Sequence, residues 1–419
     1  MVYLTREEEK MLAGEEGEAK RLAMEILVKI ADAYKAEKLI PVKSCHVVNT
    51  CYKDVWDAGL EIAEKFVELG GKYSVFTTTD PSSIDYDRWR EWNVPEDFAE
   101  KQFRIKRAHE KLGAVCVWTC IPYQYGGNVP RFGEHVAWTE SSCDVFLNSV
   151  LGARTNRVTA IEDMASAIVG RTPYYGYHLD ENRVGEILIQ VKNLQLKGDD
   201  YHVFGYFVGK TVADKVPVIT GIPKDVTFDE LRNFGTAAAA SGAVCLYHIP
   251  GITPEAKTVK DAFKGEKPLD KVTFGPEELK RTKEEMSTIS GGKVDLVVLG
   301  CPHYSLHEFI ALAEKVKDKK VADGVECWVY TNKIVERLAR EIGVAQIVEA
   351  AGIKISTETC CMISPVELYG FPEHFTLMTN SGKLSYYAPG MLTLMRPGKV
   401  EVICGNTDEC LKAAFTGSI

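Results

Sequence analysis

The sequence predicts an α/β protein built on doubly wound parallel sheets. From residue 294 onward, short apolar runs alternate with amphipathic stretches of helical period, at the spacing of successive strand–helix units. In the first 120 residues, apolar runs end in clusters of small polar residues, which is typical of buried parallel strands. The 419-residue chain is long enough for two or three domains of about 150 residues. We expect lobes at 1–163, 164–292 and 293–419.

The N-terminal third is predicted to open with helices and to continue with short strands. Thr5 and Glu8 stand at the spacing of a capping box, which predicts a helix start. Apolar residues that recur every four positions over 22–34 predict an amphipathic helix. Strands are predicted at 46–48, 73–76, 114–118 and 145–147.

The rest of the chain divides into an irregular part and a regular part. The segment 164–292, with an alanine run and a lysine-rich stretch, is predicted to form a less regular second lobe. The last third is predicted to alternate regularly between strands and helices. Its strands are expected at 294–299, 326–330, 353–355, 375–378 and 400–404, and its helices at 306–316 and 333–342.

Composition and charge argue against several classes of protein. The 50 basic and 59 acidic side chains give a net charge of −9, which argues against a nucleic-acid binder. The first residues are acidic and no uncharged apolar stretch of about 18 residues occurs, so we expect neither an export signal nor a membrane span. The chain is therefore expected in the cytoplasm, where its twelve cysteines favour metal binding or catalysis over disulfides.

The residues that follow the predicted strands are the candidates for chemistry, because ligands of an open parallel sheet bind beyond the carboxyl ends of its strands. Cys120, Cys301 and Cys361 each follow a different strand. Three thiolates from three loops suit an iron–sulfur cluster that leaves one iron without a protein ligand. Adjacent side chains on an extended loop point in opposite directions, so Cys360 competes with Cys361.

Other polar pairs allow further sites. Arg154 and Arg157 flank Asn156 and could form a fork for an anionic substrate, since guanidinium binds carboxylate or phosphate through two hydrogen bonds. Ordinary surface salt bridges are the alternative. His303 and His307 stand four apart at a predicted helix start, a spacing that would also suit zinc.

Four motifs in order along the chain resemble one family. They are GARTNR from Gly152, GRTPYYGYHLDENR from Gly170, LGCPHYSLHE from Leu299 and TNSGKLSYYAPG from Thr379. Nearly the whole chain resembles the large subunit of aconitase X, a family of hydro-lyases in the aconitase superfamily. The resemblance implies an aconitase-like fold whose α/β lobes surround a cluster pocket that a small swivelling subunit completes. Archaeal members of this family act as phosphomevalonate dehydratases, and bacterial relatives dehydrate cis-3-hydroxy-L-proline.

The resemblance also implies an iron–sulfur site and a small anionic hydroxy acid as substrate. Cys120, Cys301 and Cys361 would hold a 4Fe–4S cluster, with 3Fe–4S and 2Fe–2S as alternatives. Arg154, Arg157, His303 and Lys383 would serve catalysis, the cations by neutralising the anion. The expected substrate-binding residues are Asn49, Thr50, Cys51, Thr79, Asp80, Asn156, Asn380 and Ser381. The base is a serine of the swivelling domain in the wider superfamily, so we expect it on the partner subunit.

Two loops depart from the pattern of the mevalonate-pathway members. Those members tend to carry Gly-Val-Ser where this chain has Asn49-Thr50-Cys51, and Asn-Pro where it has Asp80-Pro81. A carboxylate beside an anionic substrate repels it unless a cation or a proton intervenes. Phosphomevalonate is the expected substrate, with cis-3-hydroxy-L-proline or another small hydroxy acid as the alternative. A zinc hydrolase and a non-catalytic partner-binding subunit are the alternatives from other classes.

Overall fold

The computed structural model describes residues 2–124 and 127–419, and helices and strands occur in every part of it. The elements of the N-terminal part are α1 (Arg6–Leu12), α2 (Glu18–Ala33), β1 (Leu39–Pro41), β2 (Ser44–Val47), α3 (Tyr52–Glu68), β3 (Phe76–Thr79), α4 (Glu96–Leu112), β4 (Ala137–Trp138), α5 (Ser141–Phe146), α6 (Ala160–Val169) and β5 (Arg171–Pro173). The middle part contains β6 (Ile187–Val191), α7 (Asp200–Val212), β7 (Pro217–Thr220), α8 (Phe228–Ser241), α9 (Val259–Ala262), β8 (Asp270–Phe274) and α10 (Pro276–Glu285). The C-terminal part contains β9 (Leu296–Leu299), α11 (Leu306–Val316), β10 (Glu326–Thr331), α12 (Lys333–Glu341), α13 (Val344–Ala350), β11 (Lys354–Thr357), β12 (His374–Thr379), α14 (Gly382–Met391), β13 (Lys399–Cys404) and α15 (Thr407–Thr416).

Three parallel sheets carry these elements, which confirms the predicted fold class. The N-terminal sheet has the order β3-β2-β4, the middle sheet β7-β6-β8 and the C-terminal sheet β11-β10-β9-β12-β13. Strands β1 and β5 pair antiparallel beside them. The chain runs from β9 to β11 in one direction and then returns to the other side of β9 with β12. The C-terminal sheet therefore has a switch point between β9 and β12, the usual place for a ligand in an open α/β sheet.

Several local predictions hold for the reasons that predicted them. The Thr5 hydroxyl accepts from the Glu8 amide and the Glu8 carboxylate accepts from the Thr5 amide, so the capping box at α1 forms in full. The buried strand β9 reads Leu-Val-Val-Leu, and its flanking strands follow at the predicted places. In the described chain, no helix combines the length and the apolar character that a membrane crossing requires.

Other local predictions were wrong. The run 114–118 makes only an isolated bridge from Val115 to Thr78, because Trp118 takes a left-handed φ of 47° and turns the chain toward Cys120. The run 145–147 is helical, since the Glu140 side chain accepts from the Cys143 amide and caps α5. The middle part is also more regular than predicted, because its alanine run lies inside the buried helix α8.

Candidate active site

A cavity of about 240 Å³ lies between the carboxyl ends of the N-terminal and C-terminal sheets. Residues that follow β3 and β4, Asp80 and Glu140, face residues that follow β9 and β12, Cys301 and Lys383. The cavity thus occupies the switch point of the C-terminal sheet, where parallel strands direct their carboxyl-terminal loops toward a ligand.

Three thiols line this cavity, and one of them differs from the prediction. Cys120 and Cys301 are in the wall, as predicted, but the third thiol is Cys360. Cys360 keeps 8% of its surface exposed and lines the cavity, whereas Cys361 is 1% exposed and is not among the described residues that line it. The physical reason is the turn that begins here, in which the Ile363 and Ser364 amides both donate to the Cys360 carbonyl oxygen and the two adjacent side chains leave the chain in different directions. The ligand set that we propose therefore contains Cys360 in place of Cys361.

The surroundings of the three sulfurs suit thiolate ligands. The His303 amide donates to Cys120 Sγ at 3.4 Å. Burial raises the pKa of the Cys301 and Cys360 thiols, while the nearby amides of Leu384 and Ile363 lower it. Amide donors favour the anionic sulfur, and a metal cation would overcome the cost of burying it. All twelve cysteines are free.

The same three thiols do not converge on a point. Within residues 2–124 and 127–419, no group of three or more His, Cys, Asp or Glu side chains is spaced to hold a single metal ion. An iron–sulfur cluster distributes its cysteine ligands over separate iron atoms, so it accepts thiols on separate walls of one cavity. Three thiols in the wall of one cavity are the donor type that a cluster requires, so the chemistry of Cys120, Cys301 and Cys360 suits one.

Lys383 is the cation of the cavity wall among the described residues that line it, and the start of α14 places it there. Gly382 precedes it because a Cβ at this position would come within 2.7 Å of the Ala237 side chain and 2.8 Å of the His202 carbonyl oxygen. Lys383 Nζ contacts the Glu140 carboxylate and donates to the Ser141 hydroxyl at 3.1 Å. Burial lowers the pKa of Lys383, but the attraction of Glu140 and nearby thiols raises it by more. The pKa is therefore raised overall, which favours the charged ammonium.

Asp80 faces the cavity in a setting that favours the protonated acid. Burial and the neighbouring Glu140 raise the pKa of Asp80 well above its usual range. Behind it, His46 Nε2 lies 3.3 Å from Asp80 Oδ1, and His46 Nδ1 lies 2.8 Å from the Thr78 hydroxyl. Burial lowers the pKa of His46 to about 3, so the imidazole is neutral. The raised pKa of Asp80 thus favours the uncharged acid, which would not repel an anionic substrate.

His303 lines the cavity, but both of its ring nitrogens have protein partners. Nε2 donates to the Thr359 carbonyl oxygen at 2.8 Å, which leaves Nδ1 as the acceptor for the Thr119 hydroxyl at 3.0 Å. Burial lowers the pKa of His303 to about 4. This histidine ties together the loops of Cys120 and Cys360. His307 instead lines a second cavity of about 480 Å³, so the two histidines do not form the zinc pair that their spacing allows.

The predicted arginine fork does not form at the cavity. Arg154 pairs with Asp180 and donates to the His178 carbonyl oxygen at 3.0 Å. Arg157 donates to a backbone carbonyl of α8 at 3.3 Å. Asn156 binds the backbone of Tyr175 and Tyr177 and shapes that loop. Among the described residues, none of these three lines the cavity, so a direct contact with substrate stays a prediction.

The remaining predicted substrate residues hold the loops together behind the wall. Asn49 donates to the Gly59 carbonyl oxygen, Thr50 to the Pro81 carbonyl oxygen, and Cys51 Sγ lies 2.9 Å from the Ser83 hydroxyl. Thr79 accepts from the Trp118 amide, and Ser381 caps α14 by accepting from the Leu384 amide. Asn380 lies in the second cavity, where it donates to Asp199. Their role in substrate binding stays a prediction.

Sequence reasoning did not assign three polar residues of the cavity wall to the site: Glu140, Ser141 and Asp54. Glu140 and Ser141 line the cavity at the start of α5, and their cluster of polar residues after β4 was the available signal. Asp54 lines it from the first turn of α3, where the left-handed Trp56 (φ 50°) interrupts the helix. Nothing in the local sequence pattern separates Asp54 from other helical acids.

Comparisons with known proteins agree with this architecture. Aconitase X domain models match the chain in three parts: the first domain at residues 1–181, the second at 185–284 and the third at 294–416. The phosphomevalonate dehydratase large subunit of Methanocaldococcus jannaschii is 40% identical over 98% of this chain and 100% of its own length. That of Thermococcus kodakarensis is 39% identical over 92% of this chain and 95% of its own length. The cis-3-hydroxy-L-proline dehydratase of Pseudomonas aeruginosa is 36% identical, and the match covers 92% of this chain and 66% of that enzyme.

A solved structure of an aconitase X protein has the same fold. The crystal structure of Thermococcus kodakaraensis aconitase X in its holo form superimposes with a TM-score of 0.87 at 37% identity, and the match covers 99% of this chain and 100% of that one. Aconitase-family membership accords with a cluster site at the three thiols. The chain belongs to the aconitase X family.

Proposed function

We propose that this chain is the large subunit of a phosphomevalonate dehydratase, a hydro-lyase that removes water from 5-phosphomevalonate to form anhydromevalonate phosphate. The observation that carries the proposal is the cavity itself, whose wall holds three thiols and a buried lysine. Identity of about 40% from end to end with archaeal large subunits of that enzyme supports the same substrate.

Cys120, Cys301 and Cys360 would hold the iron–sulfur cluster, for which we propose the 4Fe–4S type. A cluster with one iron free of protein ligands supplies a Lewis acid for the leaving hydroxyl of the substrate. The protein contributes the three thiols from three separate loops and fixes those loops through His303 and backbone amides.

The charged residues of the wall bind the anion. Lys383 neutralises a substrate carboxylate, and its contacts to Glu140 and Ser141 hold the ammonium in one position. Asp80, as a neutral acid, offers a hydrogen-bond donor and adds no repulsion. A pre-oriented ammonium in a cavity shielded from water stabilises developing negative charge more than the same group would in bulk water.

A second subunit completes the proposed enzyme. Archaeal relatives about 40% identical to this chain are named large subunits, which implies a small subunit. We propose that this subunit carries the swivelling domain and supplies the catalytic base. The complex would act in the cytoplasm, where free thiols stay reduced.

The proposal is tested with the complex of both subunits, purified and reconstituted with iron and sulfide without oxygen. Incubation with 5-phosphomevalonate should yield a product lighter by one water in mass spectrometry, and the large subunit alone should yield none. A reconstituted complex that binds iron but leaves 5-phosphomevalonate unchanged would contradict the proposed substrate.

A specific observation favours cis-3-hydroxy-L-proline as the second candidate. Among the described residues, two further acidic side chains, Asp54 and Glu140, line the cavity besides the neutral Asp80, against one lysine. An acidic wall suits a substrate that carries an ammonium group beside its carboxylate. Assays of both compounds with the same enzyme preparation decide between the two candidates.

A further inference from the structure

The Cys360 thiol sits on a tight turn whose shape decides where the sulfur points. The amides of Ile363 and Ser364 both donate to the Cys360 carbonyl oxygen, at 3.3 and 3.0 Å. The Ser364 hydroxyl closes the turn against the Thr359 hydroxyl at 2.8 Å. Cys360 and Ile363 line the cavity from this turn, whereas Cys361 is 1% exposed and is not among the described residues that line it.

A lysine from the N-terminal part of the chain reaches into this turn. Lys53 belongs to the first turn of α3, and its side chain is 0% exposed. Its Nζ donates to the Ser364 carbonyl oxygen at 2.9 Å and to Glu367 Oε2 at 2.8 Å. The other carboxylate oxygen of Glu367 accepts from the Met395 amide at 3.0 Å. The ammonium therefore connects α3 to Ser364 and Glu367, which both lie in the segment that follows Cys360.

Stability alone does not explain this ion pair. Desolvation makes a buried ion pair no better than well-packed apolar residues of the same volume, and often worse. An apolar pair could fill the space but could not bond a particular backbone carbonyl. The bond from Lys53 to the Ser364 carbonyl oxygen is directional, and it fixes the backbone four residues after Cys360.

We propose that Lys53 is a positioning residue for Cys360: its bond to the Ser364 carbonyl oxygen holds the turn so that the Cys360 thiol, and not Cys361, faces the cavity. The inference deepens the proposed function, because Cys360 matters to the enzyme only as a proposed cluster cysteine. The placement of the thiol itself does not depend on the substrate.

The test measures thiol accessibility in the metal-free, full-length chain. Lys53→Met alone leaves the Glu367 carboxylate buried without a partner, so the main variant is Lys53→Met/Glu367→Gln, in which the new side-chain amide oxygen still accepts from the Met395 amide. Alkylation by iodoacetamide, well below the melting temperature, is located by peptide mass spectrometry. We expect Cys360 to react about tenfold faster or more in this variant, because the turn opens locally, while the core thiols Cys327 and Cys410 keep their rates.

Two controls separate positioning from general stability. Glu367→Gln removes the carboxylate that pairs with the buried Lys53 but keeps the donor to the Ser364 carbonyl oxygen, so it should lower the melting temperature while the Cys360 rate rises less than in the double variant. Glu255→Gln breaks the ion pair with the buried Arg183, away from the cysteines, and should lower the melting temperature without changing the Cys360 rate. If the double variant does not fold, Lys53→Leu/Glu367→Gln takes its place, since this apolar side chain also lacks a donor for the Ser364 carbonyl oxygen.

The outcomes are distinct. A folded double variant with wild-type Cys360 reactivity overturns the proposal, and so does an equal rise in Glu367→Gln. Iron bound per chain after reconstitution is the second readout, and it should fall in the double variant and persist in Glu255→Gln. If Cys360 becomes reactive but iron binding is unchanged, Lys53 positions the turn and Cys360 is not a cluster ligand. Failure of the proposed function is thereby distinguished from failure of this inference.

Discussion

At the scale of single residues, the cysteines give the most direct prediction. Replacing Cys120, Cys301 or Cys360 by Ser should each abolish cluster incorporation, because a serine oxygen lacks the soft thiolate character that iron–sulfur clusters require. Cys361→Ser is the matched control and should retain iron, since its side chain is 1% exposed and is not among the described residues that line the cavity. Iron and sulfide content after anaerobic reconstitution is the measurement. Loss of iron in Cys361→Ser with retention in Cys360→Ser would make Cys361 the third ligand.

The ionisation of Asp80 should set how strongly the cavity binds an anionic substrate. Because the pKa of Asp80 is raised, Asp80→Asn should change the KM for phosphomevalonate less than tenfold at pH 7, or about 1.4 kcal/mol. As pH rises and the wild-type acid ionises, the KM of the wild type should increase while that of Asp80→Asn stays flat. For a cationic substrate the same ionisation should lower the wild-type KM. Identical pH profiles for both proteins would show that Asp80 does not face the substrate.

His109 links the stability of the N-terminal part to pH. It is fully buried, donates through Nε2 to the Asn49 carbonyl oxygen, and burial lowers its pKa from 6.5 to about 4. Below pH 6.5 the unfolded chain takes up a proton that the folded chain refuses until about pH 4, so this contribution to stability is lost as pH falls. Relative to His109→Gln, the wild type should lose about 3 kcal/mol of unfolding free energy between pH 6.5 and 4. Urea unfolding at several pH values measures it, and a constant difference would argue against a buried neutral imidazole.

At the scale of elements, the strand-end loops were predictable and their exact shapes were not. The buried apolar run of β9 predicts a strand, and the residues that follow it predict that Cys301 and His303 lie at the site. The run 114–118 carries the same pattern but bends at Trp118, because a left-handed residue is set by packing rather than by hydrophobic period. Both runs nevertheless deliver a cysteine to the cavity.

Gly300 makes the turn after β9 possible, and it gives a prediction for this element. Its φ is +85°, and a Cβ would lie 2.2 Å from the Tyr330 carbonyl oxygen. Gly300→Ala should therefore cost about 3 kcal/mol or more of unfolding free energy and reduce iron binding by displacing Cys301. Gly113→Ala has the same sign of φ with open space around it and should cost only about 1 kcal/mol. Equal costs, measured by urea unfolding, would contradict the close approach.

At the scale of the whole molecule, one buried arginine joins the middle and C-terminal sheets. Arg232 of α8 donates to both carboxylate oxygens of Glu308 of α11 at 2.7 Å and to Asp229 at 3.0 Å. Arg232→Met should cost about 3–5 kcal/mol of unfolding free energy, because Glu308 is left without its partner. Arg232→Met/Glu308→Gln should recover part of that cost. Urea unfolding measures both, and a cost below about 1 kcal/mol for the single variant would mean that the pair does not couple the lobes.

By itself, the sequence determined the fold class and two of the three cavity cysteines. Strand–helix alternation is a local periodicity, and the loops after parallel strands must meet at one edge of the sheet, so the sequence pattern sufficed to place Cys120 and Cys301. Only the tertiary structure decided that Cys360 and not Cys361 faces the cavity. It also pairs Arg154 with Asp180 and raises the pKa of Asp80 by burial. These outcomes depend on which side of a loop meets solvent and on desolvation by residues distant in sequence, and neither is encoded in a local pattern.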